Sequence, residues 1–205
     1  EDLPGGEHPV FIRDDKGCEI MSEGFIDEPP PFIINLPQNQ TIRLGEPVDI
    51  RINTNALSGP QYNWLRPDIP FCDTCIVQSV RPTQTTWFVL EAINENGCET
   101  IDSMLVTVEE NYDLFIPNIF SPNGDGLNDE FYIPFTPAMT KIEELLVFDR
   151  SGSLVFENFN IENGQEISEG WDGEYNGTKL RYGVYIVVAK IRFVDDVLKT
   201  YQADL

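Results

Sequence analysis

Trp87-Phe88-Val89-Leu90-Glu91-Ala92-Ile93-Asn94-Glu95-Asn96-Gly97-Cys98-Glu99 carries the pattern that decides the fold class. Trp87 to Ala92 is a mostly apolar run of the aromatic and β-branched type that suits a pleated strand. Asn94 to Gly97 is a polar turn closed by glycine, and Cys98-Glu99 opens a second strand. The same grammar extends outward in both directions. Val48 to Ile52 alternates apolar and polar residues, as does the stretch around Leu105 and Thr107, and Tyr185 to Val194 is rich in β-branched and aromatic side chains. Turn signals punctuate these runs at Leu44-Gly45-Glu46-Pro47, Ser58-Gly59-Pro60, Ser151-Gly152 and Asn176-Gly177. Lys141 to Phe148 has the length of two helical turns, but its Leu145-Leu146-Val147-Phe148 end reads as a strand. No apolar stripe of period 3.6 runs through the chain. The expected fold class is all-β, built from serial β-sandwich modules.

A short internal repeat sets the organisation. Ile12-Arg13-Asp14-Asp15-Lys16-Gly17-Cys18-Glu19 matches Ala92 to Glu99, so residues 1–28 read as the last hairpin of a module whose start lies upstream. Glu28-Pro29-Pro30-Pro31 follows as a stiff, polyproline-like linker. The expected division is a remnant of a β-repeat plus linker at 1–31, a β-sandwich at 32–110 and a second at 111–205. Such an array has the layout of a stalk or adhesin.

Thirteen basic and thirty-five acidic residues give a net charge of −22. A surface of that sign repels nucleic acid and anionic lipid, so neither is an expected partner. Val184 to Ala189 is the longest clean apolar run, far short of the roughly 18 residues of a membrane helix, so the chain is not itself expected to span a membrane. The acidic first ten residues contain no apolar segment of the kind a signal peptide needs. Catalysis is not expected either. The only histidine is His8, and G-x-S-x-G, HExxH and P-loop motifs are all lacking. Cys72-Asp73-Thr74-Cys75 is a CxxC with Pro70 before it and β-branched residues after it, which argues against the helical setting of a redox pair. A second CxxC for zinc is lacking. A local Cys72–Cys75 disulfide in an exported loop is the expectation, although Cys98 could instead pair with either of the two.

Phe115-Ile116-Pro117-Asn118-Ile119-Phe120-Ser121-Pro122-Asn123-Gly124-Asp125-Gly126-Leu127-Asn128-Asp129-Glu130-Phe131 resembles the opening signature of the gliding-motility-associated C-terminal domain, the type B sorting domain of the type IX secretion system. Leu145 to Phe156 resembles that family's strand–turn–strand unit. Gly170-Trp171-Asp172-Gly173, followed by Gly183-Val184-Tyr185, resembles its Trp-Asp-Gly segment and Gly-x-Tyr strand. The likeness runs colinearly through about 95 residues of the C-terminal module. Arg150-Ser151-Gly152 departs from it where an aromatic often precedes the glycine. The middle module, with Tyr62-Asn63-Trp64, is similar to Ig/PKD-like modules, and residues 1–28 resemble the tail of an SprB-type adhesin repeat.

The resemblance implies Ig-like sandwiches and a site made of the motif itself: Pro117, Asn118, Phe120, Pro122, Asn123, Gly124, Asp125, Gly126, Asn128, Asp129, Trp171, Asp172, Gly173, Gly183 and Tyr185. Asp172-Gly173 and Asn176-Gly177 are expected to supply the positive-φ positions of tight turns. The implied function is export by the type IX translocon of a cell-surface adhesin and its attachment outside the outer membrane through a PorP/SprF-type barrel protein. The alternative is an extracellular β-module that itself binds carbohydrate or protein. No cofactor is expected. Asn123, Asp125 and Asp129 fall at calcium-loop positions, but Ser121 replaces the first acidic ligand and Tyr132 the bidentate glutamate.

Overall fold

The computed structural model describes residues 3–28, 30–67, 71–163 and 170–205, and every regular element among them is a strand. The fold is all-β, in several sheets laid out in series and none closed into a barrel. β1 (Gly6–Arg13) and β2 (Glu19–Ile26) form an antiparallel hairpin. Eight strands follow: β3 (Ile34–Asn35), β4 (Gln40–Arg43), β5 (Val48–Arg51), β6 (Asn53–Thr54), β7 (Gln61–Arg66), β8 (Val77–Val80), β9 (Thr86–Ile93) and β10 (Glu99–Glu109). They make a four-stranded sheet ordered β4-β10-β9-β7, with the pairs β5–β8 and β3–β6 beside it. β4 joins β10 in parallel, whereas the other ladders of this set are antiparallel.

The first hairpin is a register-true copy of β9–β10. Gly6 pairs with Ile26 and Thr86 with Val106, an offset of 80 residues at both positions. The turns agree atom for atom. Asp14 Oδ1 accepts the N–H groups of Lys16 and Cys18 at 3.0 and 2.8 Å, and Asn94 Oδ1 accepts those of Asn96 and Cys98 at 3.0 and 2.9 Å. Gly17 and Gly97 take positive φ, closing each turn where a side chain would be strained. Asp149 repeats the device with Ser151 and Ser153, at 2.8 and 2.9 Å. An Asx side chain that caps its own turn is thus the recurrent local cause of the hairpins.

The C-terminal set comprises β11 (Met139–Phe148), β12 (Leu154–Glu162), β13 (Glu174–Tyr175), β14 (Thr178–Lys179), β15 (Ile186–Phe193) and β16 (Leu198–Asp204). Its main sheet is antiparallel and ordered β12-β11-β15-β16. Among the described residues no ladder joins a strand up to β10 with one from β11 onward. β15 buries Val187, Ala189, Ile191 and Phe193 at period two, the signature of one covered face. β11 buries Met139, Ile142, Leu145 and Val147, where the spacing of three looks helical. Irregular register at Met139/Lys141 and Ile142/Glu144 skips a residue each time and keeps these side chains on one face.

The chain between the two sheets is tied down at Tyr112. Its ring packs edge-on against Phe193 at 4.9 Å, and Lys199 Nζ lies 3.7 Å from the ring centroid. Its hydroxyl donates to Asp195 at 2.7 Å, a bond that raises the phenol pKa to about 12, while Tyr201 donates to its carbonyl at 2.6 Å. On the other side, the turn at Gly45 (φ +83°) meets residues 137–138 so closely that an added Cβ would collide with the Pro137 carbonyl.

Candidate functional site

The motif loop is held by its own side chains. Asp129 Oδ1 accepts the N–H groups of Asn123 and Gly124 at 2.9 and 2.6 Å, and Oδ2 accepts that of Gly126 at 2.7 Å. Asn123 Oδ1 accepts from Asp125 N–H, and Asp125 Oδ1 from Leu127 N–H, at 2.9 and 2.8 Å. Asn123 Nδ2 donates to Asp125 Oδ2 at 2.8 Å. The N–H groups of Gly124, then Gly126 and Asn123, lower the Asp129 pKa, with help from the Lys179 charge. Gly124, Gly126 and Asn128 have φ of 80°, 86° and 55°, so the loop curls tightly enough to bring its amides onto one carboxylate. The candidate calcium ligands therefore act here as caps on backbone amides. Among the described residues no group of three or more His, Cys, Asp or Glu side chains is placed to hold a metal ion.

Trp171 anchors the loop to the sheet. Its backbone exchanges hydrogen bonds with Phe131 in both directions, at 2.8 and 2.9 Å, and its Nε1 donates to Glu174 O at 3.0 Å. The ring, 1% exposed, packs against Tyr185 at 5.0 Å and Phe120 at 5.3 Å, with Phe156 at 6.4 Å. Gly173 has φ +78°, and a Cβ there would lie 2.9 Å from Pro122 Cγ. The Asp172-Gly173 pair thus takes its positive φ at the glycine, while Asp172 Oδ1 accepts the N–H of Glu174 at 2.9 Å. The other expected pair takes it at both residues, with Asn176 at 51° and Gly177 at 73°. Tyr185 donates its hydroxyl to Arg181 O at 2.7 Å, and its backbone forms two 2.9 Å hydrogen bonds with Leu205.

Residues far apart in sequence thereby share one face. Asn118, Phe120, Pro122, Trp171, Gly173, Gly183 and Tyr185 line a single hollow of about 240 Å3. Pro117 and Asn128 line an adjoining hollow of about 300 Å3, which shares Asn118, Ile119 and Phe120 with the first. Asn123, Gly124, Asp125, Gly126, Asp129 and Asp172 line neither; they shape the loops around them. Sequence reasoning missed Ile119, Leu180, Arg181, Tyr182, Val184 and Leu205, which complete the first hollow. The one available signal was Arg181-Tyr182 beside Gly183, a cation and an aromatic next to a residue with no side chain.

The cysteines lie elsewhere. Cys72 and Cys75 are bridged, with Cα atoms 5.4 Å apart, while Cys18 and Cys98 are unbridged and exposed. The buried Gln78 donates its Nε2 to Cys72 O at 2.9 Å, which ties the CxxC loop to β8.

Residues 114–203 match the family model of the CHU_C type IX secretion signal domain. A search of the curated proteins finds no match. Among solved structures the chain is similar to dimeric latent PorU from Porphyromonas gingivalis, at 12% identity over 98% of this chain and 23% of that chain, with a TM-score of 0.29. It is also similar to SGBP-B of the Bacteroides ovatus mixed-linkage glucan utilization locus, at 15% identity over 98% of this chain and 46% of that one, with a TM-score of 0.31. The chain spans less than a quarter of the PorU chain, and TM-scores this low carry no argument about fold or function. The family match implies more: a type IX secretion signal entails export, interaction with that secretion machinery and a cell-surface or extracellular location.

Proposed function

We propose that residues 111–205 are a type B sorting domain that directs this protein through the type IX translocon and then holds it outside the outer membrane on a PorP/SprF-type barrel protein. The middle region, 32–110, is an Ig/PKD-like spacer, and residues 1–31 are the closing hairpin and linker of an SprB-type adhesin repeat. The chain acts by binding and not by catalysis, and it works without a metal. One observation carries the reading. Inside the span that matches the secretion signal domain, motif residues from Asn118 to Tyr185 converge on a single hollow around Trp171. A merely structural motif would bury these residues in the core; here Asn118, Pro122 and Gly183 border open space instead.

The hairpin copy supports the adhesin part, because serial modules of one design with an 80-residue offset are what a surface stalk needs. A tagged full chain mixed with gently solubilised outer membranes of a type IX host tests the barrel partner. Recovery of a PorP/SprF-type barrel by the full chain, and not by a chain ending at Glu110, is expected. Equal recovery by both, or recovery of surface polysaccharide in its place, would assign the activity to a carbohydrate- or protein-binding module.

A further inference from the structure

The rim of the first hollow is apolar and open to water. Tyr182 is 100% exposed, Ile119 77% and Val184 47%, and Ile119 continues the patch to Phe115, 68% exposed, in the adjoining hollow. Contiguous exposed apolar side chains of this kind mark interaction surfaces. The charge beside them is equally specific. In residues 111–205, Lys141 and Arg192 pair with Glu143, Lys190 pairs with Glu144, Lys179 donates to Pro122 O and Lys199 lies over Tyr112. The remaining two cations, Arg150 and Arg181, have no carboxylate partner among the described residues. Arg181 lines the hollow, and the Arg150 guanidinium reaches to 3.8 Å of where a Gly183 side chain would begin. In a chain of net charge −22, two arginines at one apolar opening with no carboxylate partner among the described residues offer a binding point to an anion from outside.

We infer that this hollow receives an extended protein segment of the secretion or anchoring machinery that presents an apolar side chain next to a carboxylate. The inference rests on the sorting reading above and names the chemistry of its partner. A neutral sugar would leave the charges of Arg150 and Arg181 unmatched, and Ile119, Pro122, Leu180 and Val184 offer it no hydrogen bonds. Apolar insertion supplies affinity, and the arginines select for the acidic neighbour and speed the encounter.

The test places a signal peptide and a fluorescent reporter in front of the full chain in a type IX host and measures reporter at the cell surface. Wild type is expected to be displayed. R150E with R181E should lower display about tenfold, R150K with R181K, which keeps the charge, should lower it less, and Tyr182→Ala should also lower display. Lys16→Glu with Arg51→Glu changes the net charge equally, away from the hollow, and should display like wild type. All these side chains are exposed, so melting curves should coincide; if the double reversal melts early, R150Q with R181Q decides in its place. Equal display of the reversed pair and the charge control overturns the inference while leaving the sorting reading intact. Loss on Tyr182→Ala without any effect of charge points to a neutral ligand and also overturns it. Retention of the wild type inside the cell removes the sorting reading, and the inference with it.

Discussion

Trp171 does two jobs that a smaller residue cannot do together. Its ring fills the space between Phe120, Phe156 and Tyr185, and its backbone clamps the motif loop to Phe131. Trp171→Ala leaves that volume unfilled and is expected to cost about 3–5 kcal/mol, read as an earlier transition of the C-terminal module in urea. Trp64 packs beside Phe71 and Phe88, away from the Trp171 ring, so the middle module is expected to keep its midpoint. One transition shifting as a whole would show a shared core. Asp129 works through charge. Its pKa is lowered by the amides it accepts, so its contribution is complete above the ordinary carboxylate value and is lost as pH falls through the depressed folded value. Between about pH 5 and about pH 3 the wild-type melting temperature should therefore fall more steeply than that of Asp129→Asn. Parallel pH profiles would show that the loop does not depend on the carboxylate. Millimolar calcium should leave the wild-type melting temperature unchanged relative to chelator, since these side chains already cap backbone amides. A calcium-dependent rise that Asp125→Ala abolishes would contradict the metal-free reading.

At the scale of elements, the turn between β4 and β5 carries a junction. Gly45 sits at φ +83°, where an L side chain is strained, and it lies against the Pro137 carbonyl and 2.6 Å, measured from an ideal Cβ, from Ala138 N. Gly45→Ala should thus cost about 1–3 kcal/mol from backbone strain alone and should loosen residues 136–138, measurable as faster amide exchange there. Unchanged exchange would mean that the turn and the C-terminal module do not bear on each other. The strands themselves were largely legible in sequence, because Asp14, Asn94 and Asp149 announce their turns and period two announces β15. Two features were not. The parallel joining of β4 to β10 brings together residues more than 60 positions apart, for which local pattern holds no cue. The helix-like spacing of β11 came from bulges, which shift the pattern without changing the element. The motif residues of the site were legible as a motif, but their meeting place was not. Leu205 reaches the hollow through its backbone pairing with Tyr185, and Arg150 comes to it from the β11–β12 turn.

Across the described residues the chain forms β-sheets in series, and residues 114–203 match a secretion signal domain. The chain's net charge of −22 is electrostatically unfavourable for nucleic-acid contact, and no helix among the described residues is long and apolar enough to cross a membrane. Under the proposed function, surface attachment is made through a protein partner, and the motif face is where the C-terminal module offers one. The most direct measurement compares three reporters in a type IX host, each with a signal peptide and the same fluorescent cargo. One carries the full chain, one carries residues 1–110 and one carries residues 111–205 alone. Cargo is expected at the cell surface with the first and third and in the periplasm with the second. Surface display with residues 1–110, or periplasmic cargo with both chains that contain 111–205, would contradict the sorting reading.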